Sequence, residues 1–507
     1  MSKRWDRIRL IAICCTLSFS VNFQYAFSST YTNSAVHSFR RFLSHSDEAN
    51  STEGGHGHDS SFSWLWNVIV NVWFVGFFVG IWVSRVMSDK YGRKVAFLAG
   101  NVLNVIGSAA RCLAIVLNSP ETLVGARILC GFATAIGYCS LVLYLQEVAP
   151  SSMRGSTSCL NGVIYSLIAF FGITLGNDSF LGKNLLFYLG AAIPPCVFAV
   201  IALAIFPETP KFLVAQERYD EACSSVRFYY GESANVSDSV KAIERDVNEA
   251  SSGDANLVDL FMVHHLRAAL LLTLAALQNT EALWAILFSS TFYLEKAGLE
   301  LWLAQWSSSL MAGAYVAGTT TSAIIIERYG RRKVLIIANI LNMMSLALYV
   351  LCAEARYLFE PIKYGCLAMF VLFGYTFGSG VGPVARFIGI ELVPLRYRSM
   401  LTAVCFAENT VMSFLLAFAV LPLFNLIGPS AFLVLFVGPS ALCTLYLHFY
   451  LPETRSMASV IGYPIDYAIL RNVGDAGHKS WFANLDLLGF AFMNPSLECR
   501  FGDNKGS

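Results

Sequence analysis

Four ionisable residues stand inside long apolar runs of the 507-residue chain: Arg111, Glu281, Arg386 and Glu408. A charge held in hydrocarbon is costly unless it is paired or wet. Such residues therefore mark either a path for an ion or polar solute or an ion pair that holds helices together. Arg386 is expected to face a central cavity and to be balanced by Glu408 or Glu281. Left unbalanced, it would favour an anionic ligand. The competing reading is a structural ion pair unrelated to any ligand. Arg111 reads as structural or as lying close to a membrane interface. The sequence contains no nucleophile–base pair and no phosphate-binding loop, so catalysis is not expected. His56-Gly57-His58-Asp59 lacks the fixed helical spacing of a metal site, and neither a metal nor a cofactor is expected. Most of the 13 cysteines lie in apolar runs without paired spacing, as small buried thiols do.

The scaffold that would hold these charges is set by composition. The chain is 56% hydrophobic and 14% charged, with mean hydropathy +0.56. Soluble domains keep about a quarter of their residues charged, so lipid must be the solvent here. The net charge of +1 points to no nucleic acid and no strongly acidic partner. A span needs about twenty mostly apolar residues. Twelve such runs fall near 9–29, 65–85, 95–117, 122–146, 157–178, 184–206, 268–294, 303–326, 333–353, 364–390, 401–424 and 429–451. Their continuous apolar character, without strict alternation, predicts helices rather than a barrel. Lys3, Arg4, Arg7 and Arg9 precede the first run. That run is long and lacks a small-residue cleavage site, so it reads as a first span rather than a signal peptide.

Basic residues gather at the N-terminus, at Lys90, Arg93 and Lys94, at Arg154, through 211–249, at Arg328 to Lys333, and at Arg396 and Arg398. With twelve alternating spans, all fall on one side. The positive-inside rule makes that side cytosolic, together with both termini. The loop 30–64 is then extracellular, and its sequon Asn50-Ser51-Thr52 is a candidate for glycosylation. The expected organisation is a six-helix bundle over 1–206, a linker with short helices over 207–267, a second bundle over 268–451, and a tail over 452–507.

The two bundles look duplicated. Asp89-Lys-Tyr-Gly92-Arg93-Lys94 returns as Glu327-Arg-Tyr-Gly330-Arg331-Arg332. Glu147-Val-Ala-Pro150, followed by Arg154, returns as Glu391-Leu-Val-Pro394, followed by Arg398. Pro207-Glu208-Thr209 returns as Pro452-Glu453-Thr454. The offsets are 238, 244 and 245 residues. Three pairs in one order at nearly one period imply two related halves of parallel topology, with a solute site between them near the bilayer midplane.

At these residues, and at Arg127, Gly131, Tyr144, Pro207 to Leu213 and Gly380 to Pro383, the chain resembles the sugar porter branch of the major facilitator superfamily, the facilitative glucose and fructose transporters. The resemblance covers nearly all of 1–455. It implies an all-α fold of twelve helices and facilitated diffusion of a hexose or sugar-like solute by alternating access. It further implies a multi-pass protein, with the plasma membrane the expected location. It also implies a gate in which Glu147 and Arg154 face Arg331 and Arg332, while Glu391 and Arg398 face Arg93, with Asp89 and Glu327 in the flanking turns. By the same resemblance Gln24, Asn161, Gln278, Asn279 and Asn409 are the amides left for sugar hydroxyls, which donate and accept together.

The family's span-seven asparagine is here Trp284, its span-five glutamine is Gly162 beside Asn161, and the tryptophan that lies under the sugar is Arg386. Arg85 replaces a glycine at the end of span two. Proton-coupled relatives carry a carboxylate in span one. None occurs in 9–29, which implies passive uniport. The diverged site leaves two other readings open: an organic-ion carrier of the same fold, and a membrane sensor that does not transport.

Overall fold

The computed structural model describes residues 2–50, 58–149, 154–231, 236–251, 256–393 and 395–454. Among these residues there is no β-strand. Eleven helices are long and apolar enough to cross a bilayer, and a shorter apolar stretch, Leu160–Leu175, makes the twelfth span. Spans one to five are Ser2–Ser34, His58–Tyr91, Arg93–Val116, Pro120–Val148 and Arg154–Leu175. Span six is the pair Leu185–Gly190 and Ile193–Ile205, and span seven the pair His264–Gln278 and Ala282–Lys296. Spans eight and nine are Leu301–Tyr329 and Arg331–Ala355. Span ten runs Lys363–Thr376, a π-turn Phe377–Val381, then Gly382–Leu392. Span eleven is Leu395–Ile427, and span twelve joins a π-turn Leu433–Val437 to Gly438–Tyr450.

The connections between spans carry helices of their own. The loop 30–64 is helical over most of its length, because span one continues to Ser34, a helix Val36–Asn50 comes next, and span two begins at His58. The side chain of Asn50 and the rest of its sequon lie outside the described residues, as does the tail from residue 455 onward. The linker forms the short helices Pro210–Ala215, Tyr219–Tyr230, Val236–Ser251 and Asp259–Met262. The first three share a small apolar core of Leu213, Val214, Ala222, Val226 and Val240.

The repeated motifs turn out to be one structural device used twice. Gly92 and Gly330 have φ of 101° and 88°, the left-handed region where glycine carries no steric penalty. Each sits between two consecutive spans and starts the second of them. The carboxylate of the Pro-Glu-Thr motif then caps that new helix. Glu208 accepts from the Lys94 N–H at 3.0 and 3.1 Å, and Glu453 accepts from the Arg331 N–H at 2.9 Å. Unpaired N–H groups and the dipole at a helix start both favour a carboxylate there. A Cβ on Gly92 would collide with Glu208 Oε2, and one on Gly330 with Glu453 Oε2, so a larger residue would displace the cap.

Duplication also shows in packing. Gly80 of span two lies against Phe132 of span four, where a Cβ would collide with the Phe132 carbonyl. Gly318 of span eight lies against Tyr375 of span ten, and a Cβ there would collide with the Tyr375 carbonyl. Their offset of 238 residues equals that between Asp89 and Glu327. Small residues let membrane helices approach closely where no hydrophobic force drives them together. The sixth helix of each half is interrupted just before a proline, Pro194 in span six and Pro439 in span twelve, again 245 residues apart. Proline removes a donor and crowds the preceding turn, which explains both interruptions. The halves meet through span five on span eight and its pseudo-symmetric mate, span two on span eleven, with span one against span seven at the centre.

Replacing Glu208 or Glu453 by alanine is expected to destabilise the protein by about 0.5–2 kcal/mol each, the loss typical of a helix cap. The check is a lowered melting temperature in detergent for both variants, with the double variant lower than either.

Candidate functional site

Span seven is broken where the sequence reads Gln278-Asn279-Thr280-Glu281. Tight bonds from the N–H of Thr280 to the Leu277 carbonyl (2.8 Å) and from that of Trp284 to the Glu281 carbonyl (3.2 Å) replace the α-helical ladder. Glu281 is buried and holds the break to span eleven. Its carboxylate accepts from the Asn409 amide and, at 2.7 Å, from the Ser413 hydroxyl. Beside this break lies a cavity, part of it continuous with solvent. Its walls run from Tyr25, Tyr138, Trp284 and Asn409 at mid-span to Arg386, Gly389, Leu401 and Thr402 near the ends that carry the repeated arginines. The cavity therefore faces the arginine-rich side. Tyr25 is the hub of its aromatic wall, with ring centroids 4.9 Å from Tyr138, 5.0 Å from Tyr165, 5.7 Å from Trp73 and 5.8 Å from Trp284.

The opposite face is closed by hydrogen bonds that cross between the halves. Asn33 of span one reaches into span seven where Ser289 leaves helical geometry. Its amide donates to the carbonyls of Leu287 (2.8 Å) and Ile286 (3.2 Å) and to Ser290 Oγ (2.9 Å), and it accepts from the Thr291 N–H (2.9 Å). Gln305 donates to the Ser34 carbonyl at 2.9 Å, Asn177 to Ser309 at 3.2 Å, and Asn67 to the Phe418 carbonyl at 3.0 Å. At the rim, His37 Nε2 lies 3.2 Å from Glu295 Oε2. The Glu295 carboxylate holds the His37 imidazole above its usual range, against a smaller opposing effect of burial.

On the arginine-rich face the pairing differs from the expected gate. Arg93 pairs with Glu147 at 3.1 Å, and Arg331 with Glu391 at 3.7 Å; each pair lies within one half. The reason is conformational. With the opposite face sealed, the cavity opens on this side, and each carboxylate takes the nearest cation of its own half. Glu147 also accepts from Thr209 Oγ1 at 2.5 Å, and Arg93 stacks on Phe212. Arg332 donates to the His448 carbonyl at 2.6 Å, and Arg398 to that of Val393 at 3.3 Å. Asp89 and Glu327 are exposed in their turns. The side chain of Arg154 lies outside the described residues.

The expected solute residues divide. Trp284, Arg386 and Asn409 line the cavity. Gln24 does not: it is buried inside the first half, donating to Ser108 at 2.9 Å, with Cys130 and Cys196 beside it. Asn279 turns to its own helix and to Thr444 of span twelve. Asn161 accepts from Asn22 at 2.5 Å, and neither it nor the half-buried Gln278 is among the lining residues. The expected balance of Arg386 by Glu281 or Glu408 is absent among the described residues. Glu281 is engaged by span eleven, and Glu408 interacts electrostatically with Glu281, Cys405 and Cys443. Arg111 is structural: buried, bonded to Ser108 at 2.9 Å, and stacked on Tyr31, which Arg127 also covers.

Sequence reading missed Tyr25, Tyr138 and the Asn33 seal. The signal was available in span one, where Ser18, Asn22, Tyr25, Ser29 and Asn33 fall on one helical face of an otherwise apolar run.

A family model described as "Sugar (and other) transporter" matches residues 10–458. The solute carrier family 2, facilitated glucose transporter member 7 of Mus musculus is 26% identical over 468 residues, covering 90% of each chain. The facilitated trehalose transporter Tret1 of Apis mellifera ligustica is 26% identical, over 74% of this chain and 73% of that one. The inward-open structure of the xylose transporter XylE from E. coli matches with TM-score 0.71 at 15% identity, covering 92% of this chain and all of that one.

Asn33→Ala should remove the cross-half bonds at Ser289 and leave buried polar groups unmet, at a cost of about 1–3 kcal/mol to the sealed state. A cysteine placed at Phe288 should then react faster with a membrane-impermeant thiol reagent applied to the sealed face. The His37–Glu295 contact is at full strength below the imidazole's ordinary pKa and is lost as pH rises through its raised value. Reactivity at the same cysteine should therefore increase from pH 5.5 to pH 8, and His37→Gln should flatten that dependence.

Proposed function

The chain belongs to the sugar (and other) transporter family, and from that premise we propose that it carries a hexose or sugar-like solute across a membrane by alternating access, as a passive uniporter. The observation that carries the reading is the cavity at the break of span seven, walled by Trp284 and Asn409 and closed on one face only. A pocket with an aromatic floor and a few convergent polar groups is what a small polyol needs. Trp284 presents a flat face to the sugar's C–H groups, and Asn409 a paired donor and acceptor to its hydroxyls.

In this reading the arginine-rich face is cytosolic, as the concentration of Lys and Arg there favours, and the membrane is the plasma membrane. The observed arrangement is then the inward-facing state. Return to the outward-facing state breaks the Asn33 and Gln305 bonds and brings the arginine-rich ends together. Arg93 and Arg331 exchange their own-half carboxylates for those of the opposite half. Each pair is lost as its replacement forms, and that exchange keeps the two states close enough in free energy to interconvert.

Purified protein in liposomes should take up labelled glucose down its gradient, with no acceleration by a proton gradient. Trp284→Ala should lower the initial rate at least tenfold while the protein stays folded. Absence of uptake for every hexose and pentose tested would overturn the reading.

A further inference from the structure

The second half of the cavity wall holds a cation that the protein does not neutralise. Arg386 lines the cavity, yet among the described residues it makes no ion pair and no hydrogen bond. Two other arginines of the membrane region, Arg111 and Arg127, are fully buried, whereas Arg386 is half-buried. Arg111 and Arg127 also lack a carboxylate partner among the described residues, but each donates to oxygens of its own half: Ser28 and Ser108 for Arg111, the Ser28 and Val70 carbonyls for Arg127. Both stack on Tyr31, and neither lines the cavity. Their charge is spent inside a packed bundle. That of Arg386 is presented to the cavity.

The groups around Arg386 are suited to solvating an anion's body, not to neutralising the guanidinium. Tyr25, Tyr138, Tyr165 and Tyr315 lie within its electrostatic reach. Their hydroxyls donate and accept but carry no charge. No carboxylate lines the cavity among the described residues, and the Glu281 carboxylate is held by Asn409 and Ser413. A half-buried guanidinium that lines a cavity and has no carboxylate partner among the described residues is a receiver for a planar, bidentate anion.

We propose that the solute is an anionic sugar, a hexose bearing a carboxylate such as a uronate, bound with its carboxylate on Arg386 and its ring against Trp284 and the tyrosines. This rests on the reading of the cavity as the solute site and narrows the class of solute. Arg386 acts by direct contact with the carboxylate. The charge crosses the membrane with the sugar, so net uptake moves one negative charge per molecule.

The test uses the full-length protein in liposomes, with labelled glucuronate and labelled glucose as probes. Glucuronate is expected to enter at least tenfold more efficiently than glucose. An inside-positive potential should accelerate glucuronate entry and leave that of glucose unchanged. In detergent, glucuronate should raise the melting temperature of the protein. Arg386→Gln should abolish that rise, and Arg386→Lys, which keeps the charge but loses the fork, should retain part of it. The melting temperature without ligand shows whether each variant is folded, and a fully folded Lys variant suffices if the Gln variant is not. Glucose transport with no glucuronate uptake or protection would overturn the anionic assignment and leave the carrier reading intact. Protection by glucuronate that persists in Arg386→Gln would overturn the role of this residue. Uptake of neither sugar would overturn both readings.

Discussion

A helix that breaks inside a membrane frees backbone groups that lipid cannot satisfy, and span seven breaks twice. At Asn279–Glu281 the ladder tightens into shorter-range bonds, and a buried carboxylate ties the turn to span eleven. At Ser289 the freed carbonyls and the Thr291 N–H are taken by one side chain of the other half, Asn33. The first break makes room for the cavity, and the second supplies the bonds that close the face behind it. The site and the seal are thus two ends of one irregular helix. A conformational change that opens the seal must find new partners for the same backbone atoms.

The arginine-rich face works by a different rule. Two helix caps, Glu208 and Glu453, join neighbouring segments of a single half there. Its ion pairs are largely buried and lie within a half. Exchangeable pairs beside firm caps let the two bundles move as bodies while the contacts between them are remade.

Span number, helix type and the duplication were legible from the sequence because each is written in length, hydropathy or repeated polar motifs. The caps were legible only as repeats: nothing in Pro-Glu-Thr says that its carboxylate folds back on a helix start a hundred residues earlier. The candidate solute residues were harder to read. Trp284, Arg386 and Asn409 fell on the cavity, whereas Gln24 and Asn279 sit on other faces of the same helices. A polar residue in a membrane helix announces that it needs a partner, not which neighbour will supply it. In span seven the face is further scrambled, because each break resets the rotation of the residues beyond it. In the loop 30–64 a polar composition hid a helix, Val36–Asn50, whose apolar residues Val36, Phe39, Phe42 and Leu43 are buried.

The π-turn at Phe377–Val381 sits immediately before Gly382-Pro383, whose proline cannot continue the ladder. It gives span ten one residue more than the turn of an α-helix holds. Tightening those five residues would swivel everything beyond them by about 100° around the helix axis, one residue's share of a turn. Arg386 lies on the swivelling part. Whether its guanidinium looks into the cavity or out of it is therefore decided by the winding of a short segment whose first residue, Phe377, also lines the cavity. Selectivity and conformational state can be linked through that joint without any movement of the helix as a whole.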